Sequence, residues 1–453
     1  MTSAVSSMRH KGTLASFTLA ALLGSLPLAA QQQAAPAQQG APPAAPAQPQ
    51  QTKVVPALRL QVADKLTEAT TCMDDGDTEC ALKIIADLEK IRDLNNHEKA
   101  QIWNVSAFLY FDLDNTAAAL DAYEKIVALP QEDLTDGLIQ TTTRNLATLY
   151  LTEDRLEEGL AMYRQYMALP TVIPNSDDYY LLATIYYQLE NYADGLPEID
   201  QAIKLARDKG ELGDEDWYIL KYVFHYQLEQ TNQVIETLTF LVNNFTKRDH
   251  VLALAGQLSA QERESETLTL FESAYDAGWL IRGTEWVQLA NLYLNGRTPY
   301  KAARLLEKGL DEGMIESTQQ NWRLLAQAWQ LSQEHEKALP ALERASRLAD
   351  DGDVDRLLAQ SFASLARWDD CATAARSSIE RGGLDRPDNV NMQLGQCLVN
   401  LREYPEARRA FEAAARDDRS ADGARRWLRY IDDEVARERA NAEALASLNL
   451  NRN

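Results

Sequence analysis

WNVSAFLYFDLDNTAAALDAYEKIVALP, running from Trp103 to Pro130, reads as one helical hairpin. Two small residues, Ala107 and Ala119, stand twelve positions apart. Trp103 and Tyr110 flank the first at helical spacing, and Tyr123 follows the second. Antiparallel helices approach closely only where neither carries a bulky side chain, so the small pair marks a crossing point. The pattern recurs about every 36 residues from Leu58 to Ala415. The further pairs are Ala69/Ala81, Ala147/Gly159, Ala183/Gly195, Lys221/Gln233, Ala255/Thr267, Ala290/Ala302, Ala326/Ala338, Ala359/Cys371 and Gly395/Ala407. Helix A of the repeats adds Leu146, Tyr150, Leu182, Tyr186, Trp286, Tyr293, Trp322 and Trp329 as flanking residues. Tyr163, Leu306, Leu342 and Phe411 do the same on helix B. Self-similarity at this period means an α-solenoid, in which no hairpin buries its apolar face alone.

The stretches Trp103 to Pro130, Arg144 to Pro170 (RNLATLYLTEDRLEEGLAMYRQYMALP) and Asn391 to Ala415 (NMQLGQCLVNLREYPEARRAFEAAA) resemble tetratricopeptide repeats. The resemblance implies an all-α, right-handed solenoid of about ten hairpins. The fifth hairpin departs from it, because Lys221 and Gln233 stand where small residues belong, and its helices are expected to splay or shift register. After the last repeat, Ala421 to Ala446 reads as one long helix. Trp427, Leu428, Ile431 and Val435 form its apolar stripe, and Arg425, Arg426, Arg429, Arg437 and Arg439 its polar face. A terminal helix with a wet outer side closes the exposed end of a solenoid.

Arg9 and Lys11 precede an apolar run from Leu14 to Leu28 and small residues before Gln31, the layout of a secretory signal cleaved after Ala30. Residues 31 to 53 are mostly Gln, Ala and Pro and read as a disordered spacer. The expected organisation is therefore 1–30 signal peptide, 31–53 spacer, 54–246 repeats one to five and 247–418 repeats six to ten. Residues 419–446 are the capping helix and 447–453 a disordered tail. No segment after the signal is long and apolar enough to span a bilayer.

The whole chain holds 45 basic and 68 acidic residues; without Arg9 and Lys11 the mature balance is 43 against 68, or −25. Such a chain repels phosphate backbones and anionic membranes and suits a basic partner. Cys72 and Cys80 face each other across the Asp74–Asp77 turn. Cys371 sits in a small-residue slot, and Cys397 lies on the helix expected to pack against it. In an oxidising compartment both pairs are expected as disulfides. There is no Gly-rich phosphate loop, no His-Glu-x-x-His and no Ser nucleophile elbow. His97, His225, His250 and His335 fall on different hairpins. The DDGD runs at Asp74–Asp77 and Asp350–Asp353 read as turns rather than calcium loops. No cofactor, metal or catalytic activity is expected.

In a tetratricopeptide superhelix the concave wall is lined by the face of helix A turned away from helix B. The repeat register places there Phe108 and Phe111, Arg144 and Thr148, Tyr180 and Tyr187, then Tyr218, Tyr222, His225 and Tyr226. Aromatic rings with a polar handle make binding anchors; the competing reading is that some of these rings pack as core. Later repeats offer Asn291, Arg323, Gln327, Gln330, Arg356, Gln360 and Gln396, an amide and guanidinium surface suited to an extended backbone. The family's clamp for a chaperone's terminal carboxylate needs lysine and asparagine on successive helices A. Arg144/Thr148 and Tyr180/Thr184 stand there instead, so that activity is not carried over.

VVPALRLQV (Val54 to Val62), AYDAG (Ala274 to Gly278) and ARRWLRYIDDEVARER (Ala424 to Arg439), with the signal and spacer, are similar to one group. These are the periplasmic tetratricopeptide proteins that accompany TonB–ExbB–ExbD systems of Gram-negative bacteria. The resemblance implies a non-catalytic adaptor in outer-membrane uptake of iron chelates or other nutrients, with those components as partners. An envelope-assembly factor using the same groove, and a cell-wall hydrolase, are the alternatives.

Overall fold

The computed structural model describes residues 53–450. The expected signal peptide, the spacer up to residue 52 and residues 451–453 lie outside the described residues. From Val55 onward the chain is one compact unit. Among the described residues it is built of twenty-one α-helices and one short 3-10 turn, with no strand.

Twenty helices form ten consecutive hairpins. The first five are α1/α2 (Leu60–Asp74, Thr78–Glu89), α3/α4 (Asn96–Asp112, Thr116–Val127), α5/α6 (Asp136–Thr152, Leu156–Met167), α7/α8 (Ser176–Gln188, Tyr192–Asp208) and α9/α10 (Glu215–Gln227, Thr231–Asn244). The others are α11/α12 (Arg248–Ala260, Glu264–Asp276), α13/α14 (Gly283–Asn295, Pro299–Asp311), α15/α16 (Gln319–Leu331, His335–Leu348), α17/α18 (Asp353–Ser364, Trp368–Arg381) and α19/α20 (Pro387–Asn400, Tyr404–Ala414). The last helix, α21, spans Asp418–Leu450. Each helix packs on the next in the chain, and successive helices A also touch, as α1 on α3 and α7 on α9. This is the expected all-α solenoid of hairpins.

The small residues of nine hairpins are all buried at the crossings. Their smallness is required. A Cβ on Gly395 would stand 2.6 Å from the Phe411 ring, and one on Gly195 2.7 Å from the Phe224 ring. Every hairpin turns through the same device. Seven residues after the small residue comes one in the left-handed region: Gly76, Asp114, Asp154, Glu190, Glu229, Glu262, Arg297, Gln333, Ala366 and Arg402, with φ from 53° to 76°. The next residue donates its backbone N–H to the carbonyl five positions back, as Asn115 to Tyr110 at 2.8 Å and Glu403 to Leu398 at 2.9 Å.

This turn fixes the register of the fifth hairpin. Glu229 is its left-handed residue and Gln230 donates to His225 at 2.9 Å. Counting back seven gives Tyr222, and its helix-B counterpart is Val234. The sequence pairing of Lys221 with Gln233 is one residue early. Both crossing slots hold large side chains here.

Hairpins are joined by buried carboxylates near the start of helix A. Asn95 and Glu98 form a capping box on α3, and Glu98 receives Arg59 Nε at 2.7 Å and Nη2 at 2.8 Å. Tyr163 Oη donates to Asp178 at 2.8 Å, and Arg248 pairs with Glu285. Asp355 accepts from Ser346 of the preceding hairpin, and within its own hairpin from Ser377 at 2.7 Å and Arg381 at 3.1 Å; Asp388 accepts from Ser420 on the last helix at 2.6 Å. Glu98, Asp178 and Glu285 thus each cap their own helix and tie it to the preceding hairpin.

The structure pairs Cys72 with Cys80 and Cys371 with Cys397, at Cα separations of 5.9 and 6.1 Å, and no described cysteine is free. In α21, Trp427 stacks on Phe411 with centroids 5.5 Å apart, and Ala421, Ala424 and Ile431 are buried. Val435 is 44% exposed, outside the stripe assigned to it from sequence; Glu434 is buried instead and pairs with Arg437. Helix α20 has 11 residues and α21 has 33. At ~1.5 Å per residue the end of α21 outruns the hairpin beneath it. No Gly or Pro follows Gly423, and the helix continues past residue 446 to Leu450.

Arg59's hydrogen bond, helped by the backbone N–H groups of Arg59 and Asn95, pulls the Glu98 carboxyl down to about 2 against its desolvation. A depressed acid contributes stability that is complete above its unfolded value near ~4.3 and fades as pH falls toward the folded one. Glu98→Gln should therefore lower the thermal midpoint at neutral pH, with the gap to wild type closing as pH drops through that window. Parallel midpoint-against-pH curves would contradict this joint.

Candidate partner-binding face

The left-handed turns give one frame for all helices A. Relative to the small residue, positions −3, −2, +1 and +4 lie on one side of helix A. In the second hairpin these include Phe108 and Phe111, in the third Arg144 and Thr148, in the fourth Tyr180, Leu181, Thr184 and Tyr187. In the corrected fifth hairpin they are Ile219, Leu220, Val223 and Tyr226.

Phe108 is half-buried with its edge toward Tyr123 at 6.4 Å, and Phe111 is half-buried too. The Arg144 guanidinium lies 5.9 Å from the Tyr166 ring. Tyr180 stands 6.1 Å from Trp217, and Tyr187 lies 6.5 Å from Phe224. Burial, with the carboxylates of Asp216 and Asp214 nearby, raises the Tyr180 phenol. Tyr226 is 40% exposed, 6.3 Å from Tyr222. Each ring rests on the core by one edge and shows the other.

Tyr218 and His225 are different. Tyr218 stands four before the crossing slot, where other repeats carry Trp286 and Trp322. Its hydroxyl donates to the carbonyl of Leu212 at 2.6 Å, six residues upstream; Trp286 Nε1 donates to Leu280, also six upstream, at 2.8 Å. Tyr218 stacks on Phe240 at 4.3 Å and is buried. His225 holds the slot of Tyr186 and Tyr293; it is buried, with Nδ1 2.7 Å from Gln230 Oε1. Tyr222 fills the crossing slot and is half-buried, and burial raises its phenol. A register error of one residue turns the assigned face by about 100° around the helix. Helix B carried the missing signal: in other repeats a large apolar residue follows the small one by four, as Tyr123, Phe271 and Phe411 do, and Leu238 follows Val234 likewise. Ile219 and Leu220 are the face residues that the sequence register passed over; Val223, at the frame position of Phe108, is buried.

In the later hairpins Arg323 and Arg356 both engage Asp353, at 2.8 and 2.9 Å, and Gln330 donates to Ser361 at 2.8 Å. Asn291, Gln327, Gln360 and Gln396 share position +1, are exposed, and have no side-chain partner among the described residues. The described residues contain no group of three or more His, Cys, Asp or Glu arranged to hold a metal. The chemistry offered is contact and hydrogen bonding.

A tetratricopeptide repeat family model matches residues 179–209, within the fourth hairpin. No curated protein matches the chain. Among solved structures it is similar to a tetratricopeptide repeat protein from Parabacteroides merdae, at 15% identity over 58% of this chain and 99% of that one, TM-score 0.30. It is similar to YrrB, described as a TPR protein with an unusual peptide-binding site, at 15% over 43% and 90%, TM-score 0.31. A third is the TPR2AB-domain:pHSP90 complex of yeast Sti1, at 12% over 65% and 99%, TM-score 0.28.

The frame separates two tyrosines eight residues apart. Tyr218→Ala empties a buried, stacked site and should cost ~3–5 kcal/mol of stability. Tyr226→Ala should change stability by no more than ~0.5 kcal/mol. Denaturant titration of both variants decides it, and equal losses would contradict the frame.

Proposed function

We propose that this chain is a non-catalytic, exported scaffold that holds a protein partner on its helix-A faces, as an accessory of a TonB–ExbB–ExbD system for outer-membrane nutrient uptake. The observation that carries the scaffold reading is the face of the fourth and fifth hairpins. Tyr180, Leu181, Tyr187, Ile219, Leu220 and Tyr226 lie together there with part of each side chain open to solvent. Apolar and aromatic surface left open across consecutive repeats favours a partner that covers it. The tetratricopeptide match falls on this segment, and that repeat is an interaction module. Among the described residues no helix is long and apolar enough to cross a membrane, in keeping with a chain that works beside a membrane motor. The uptake-system assignment draws its support from the signal-like start, the Gln/Ala/Pro spacer and the phrases at Val54–Val62 and Ala424–Arg439.

A photo-crosslinking residue placed at Tyr226 in cells should give adducts with a component of the TonB–ExbB–ExbD assembly. Combining Tyr187→Ala with Tyr226→Ala should weaken the captured complex by more than ~tenfold, since a truncated anchor costs about 2 kcal/mol. Adducts with envelope-assembly proteins alone would replace the uptake assignment while keeping the scaffold. Undiminished binding by the double variant would move the site off this face.

A further inference from the structure

At the joint between the fourth and fifth hairpins lies an open cavity of about 400 Å³, lined by Asn175, Ser176, Asp177, Lys209, the loop from Glu211 to Asp214, and Trp217. Trp217 stands five before the crossing slot, where the fourth and seventh hairpins carry the buried acids Asp178 and Glu285. The consensus aromatic slot belongs to its neighbour Tyr218, which satisfies its hydroxyl on Leu212. Trp217 is more than nine-tenths buried, and its ring packs beside Gly213 of the loop, where an added Cβ would stand 3.0 Å from it.

The rim is acidic. Asp177, Glu211 and Asp214 form no ion pair with a described residue, and Lys209 is the one cation in the lining. The surroundings share this sign: residues 54–246 hold 14 Lys and Arg against 34 Asp and Glu. The cavity opens beside the partner face, since Tyr180 stands 6.1 Å from Trp217. A buried aromatic wall with free carboxylates at its mouth suits an extended side chain ending in a positive charge. The stem packs on the ring and the head meets the acids.

We propose that this cavity receives a lysine or arginine side chain of the polypeptide bound on the helix-A face. The proposal rests on the face reading given above and names the chemistry of its ligand. The carboxylates steer and register the partner, and the rings of Tyr180, Tyr187 and Tyr226 hold it.

Random peptides of ~12 residues displayed on phage and selected on the intact chain test it. The peptides enriched should share one basic residue. Changing that residue to Gln in a synthetic peptide should weaken binding by about tenfold. The Asp177→Asn/Asp214→Asn variant, altered at two exposed positions, should lose the same factor and be indifferent to the Gln change. Enriched peptides without a shared basic residue, or losses that simply multiply, overturn the cavity proposal and leave the face reading standing. Failure to enrich any peptide over the Tyr187→Ala/Tyr226→Ala variant overturns the face reading, and the cavity proposal with it.

Discussion

One backbone hydrogen bond, made ten times, sets the geometry of this molecule. At each hairpin turn the residue after the left-handed position donates to the carbonyl five residues earlier, from Asp77 to Cys72 in the first hairpin to Glu403 to Leu398 in the tenth. Nine of the ten left-handed residues are not glycine. Each should cost about 1 kcal/mol in backbone strain. Closing the turn puts two small residues face to face and buries large side chains on both sides, each contributing ~1.5–3 kcal/mol. Burial outweighs strain, so the turn persists whatever side chain occupies it. Solenoid stability then accumulates from contacts between neighbours.

The same constraint decides what is core and what is surface. Because the turn lies seven residues after the crossing, it fixes the outward positions of every helix A. In nine hairpins a small residue fills the crossing and the outward side is plain to read. In the fifth, Tyr222 fills it. That places Tyr218, Val223 and His225 inward and leaves Ile219, Leu220 and Tyr226 partly open. The scaffold departs from its own rule beside an acidic rim.

Much of this was legible in the sequence. The ten hairpins follow from the spacing of small residues, because close helix crossings tolerate nothing larger. The cysteine pairings follow from antiparallel packing. The register of the fifth hairpin was not legible from Lys221 and Gln233, since neither is small, although Leu238 four residues after Val234 marks it. The turns left no signature because Gly, Asp, Glu, Arg, Gln and Ala all occupy the left-handed position. The carboxylates at Glu98, Asp178, Asp355 and Asp388 looked like any acid on a polar helix face. Their burial depends on a neighbouring hairpin delivering an arginine, serine or tyrosine, a contact no local pattern records. Val435 fits the stripe of an isolated helix but has no hairpin beneath it.

Tyrosine oxidation by hydroxyl radicals, with and without a bound peptide, tests the central claim most directly. Tyr226, Tyr300 and Tyr430 are 40%, 50% and 45% exposed, so all three report. The account requires Tyr226, with Tyr180 and Tyr187, to become protected on binding while Tyr300 and Tyr430 keep their rates. Protection of Tyr300 or Tyr430 with Tyr226 unchanged would contradict it.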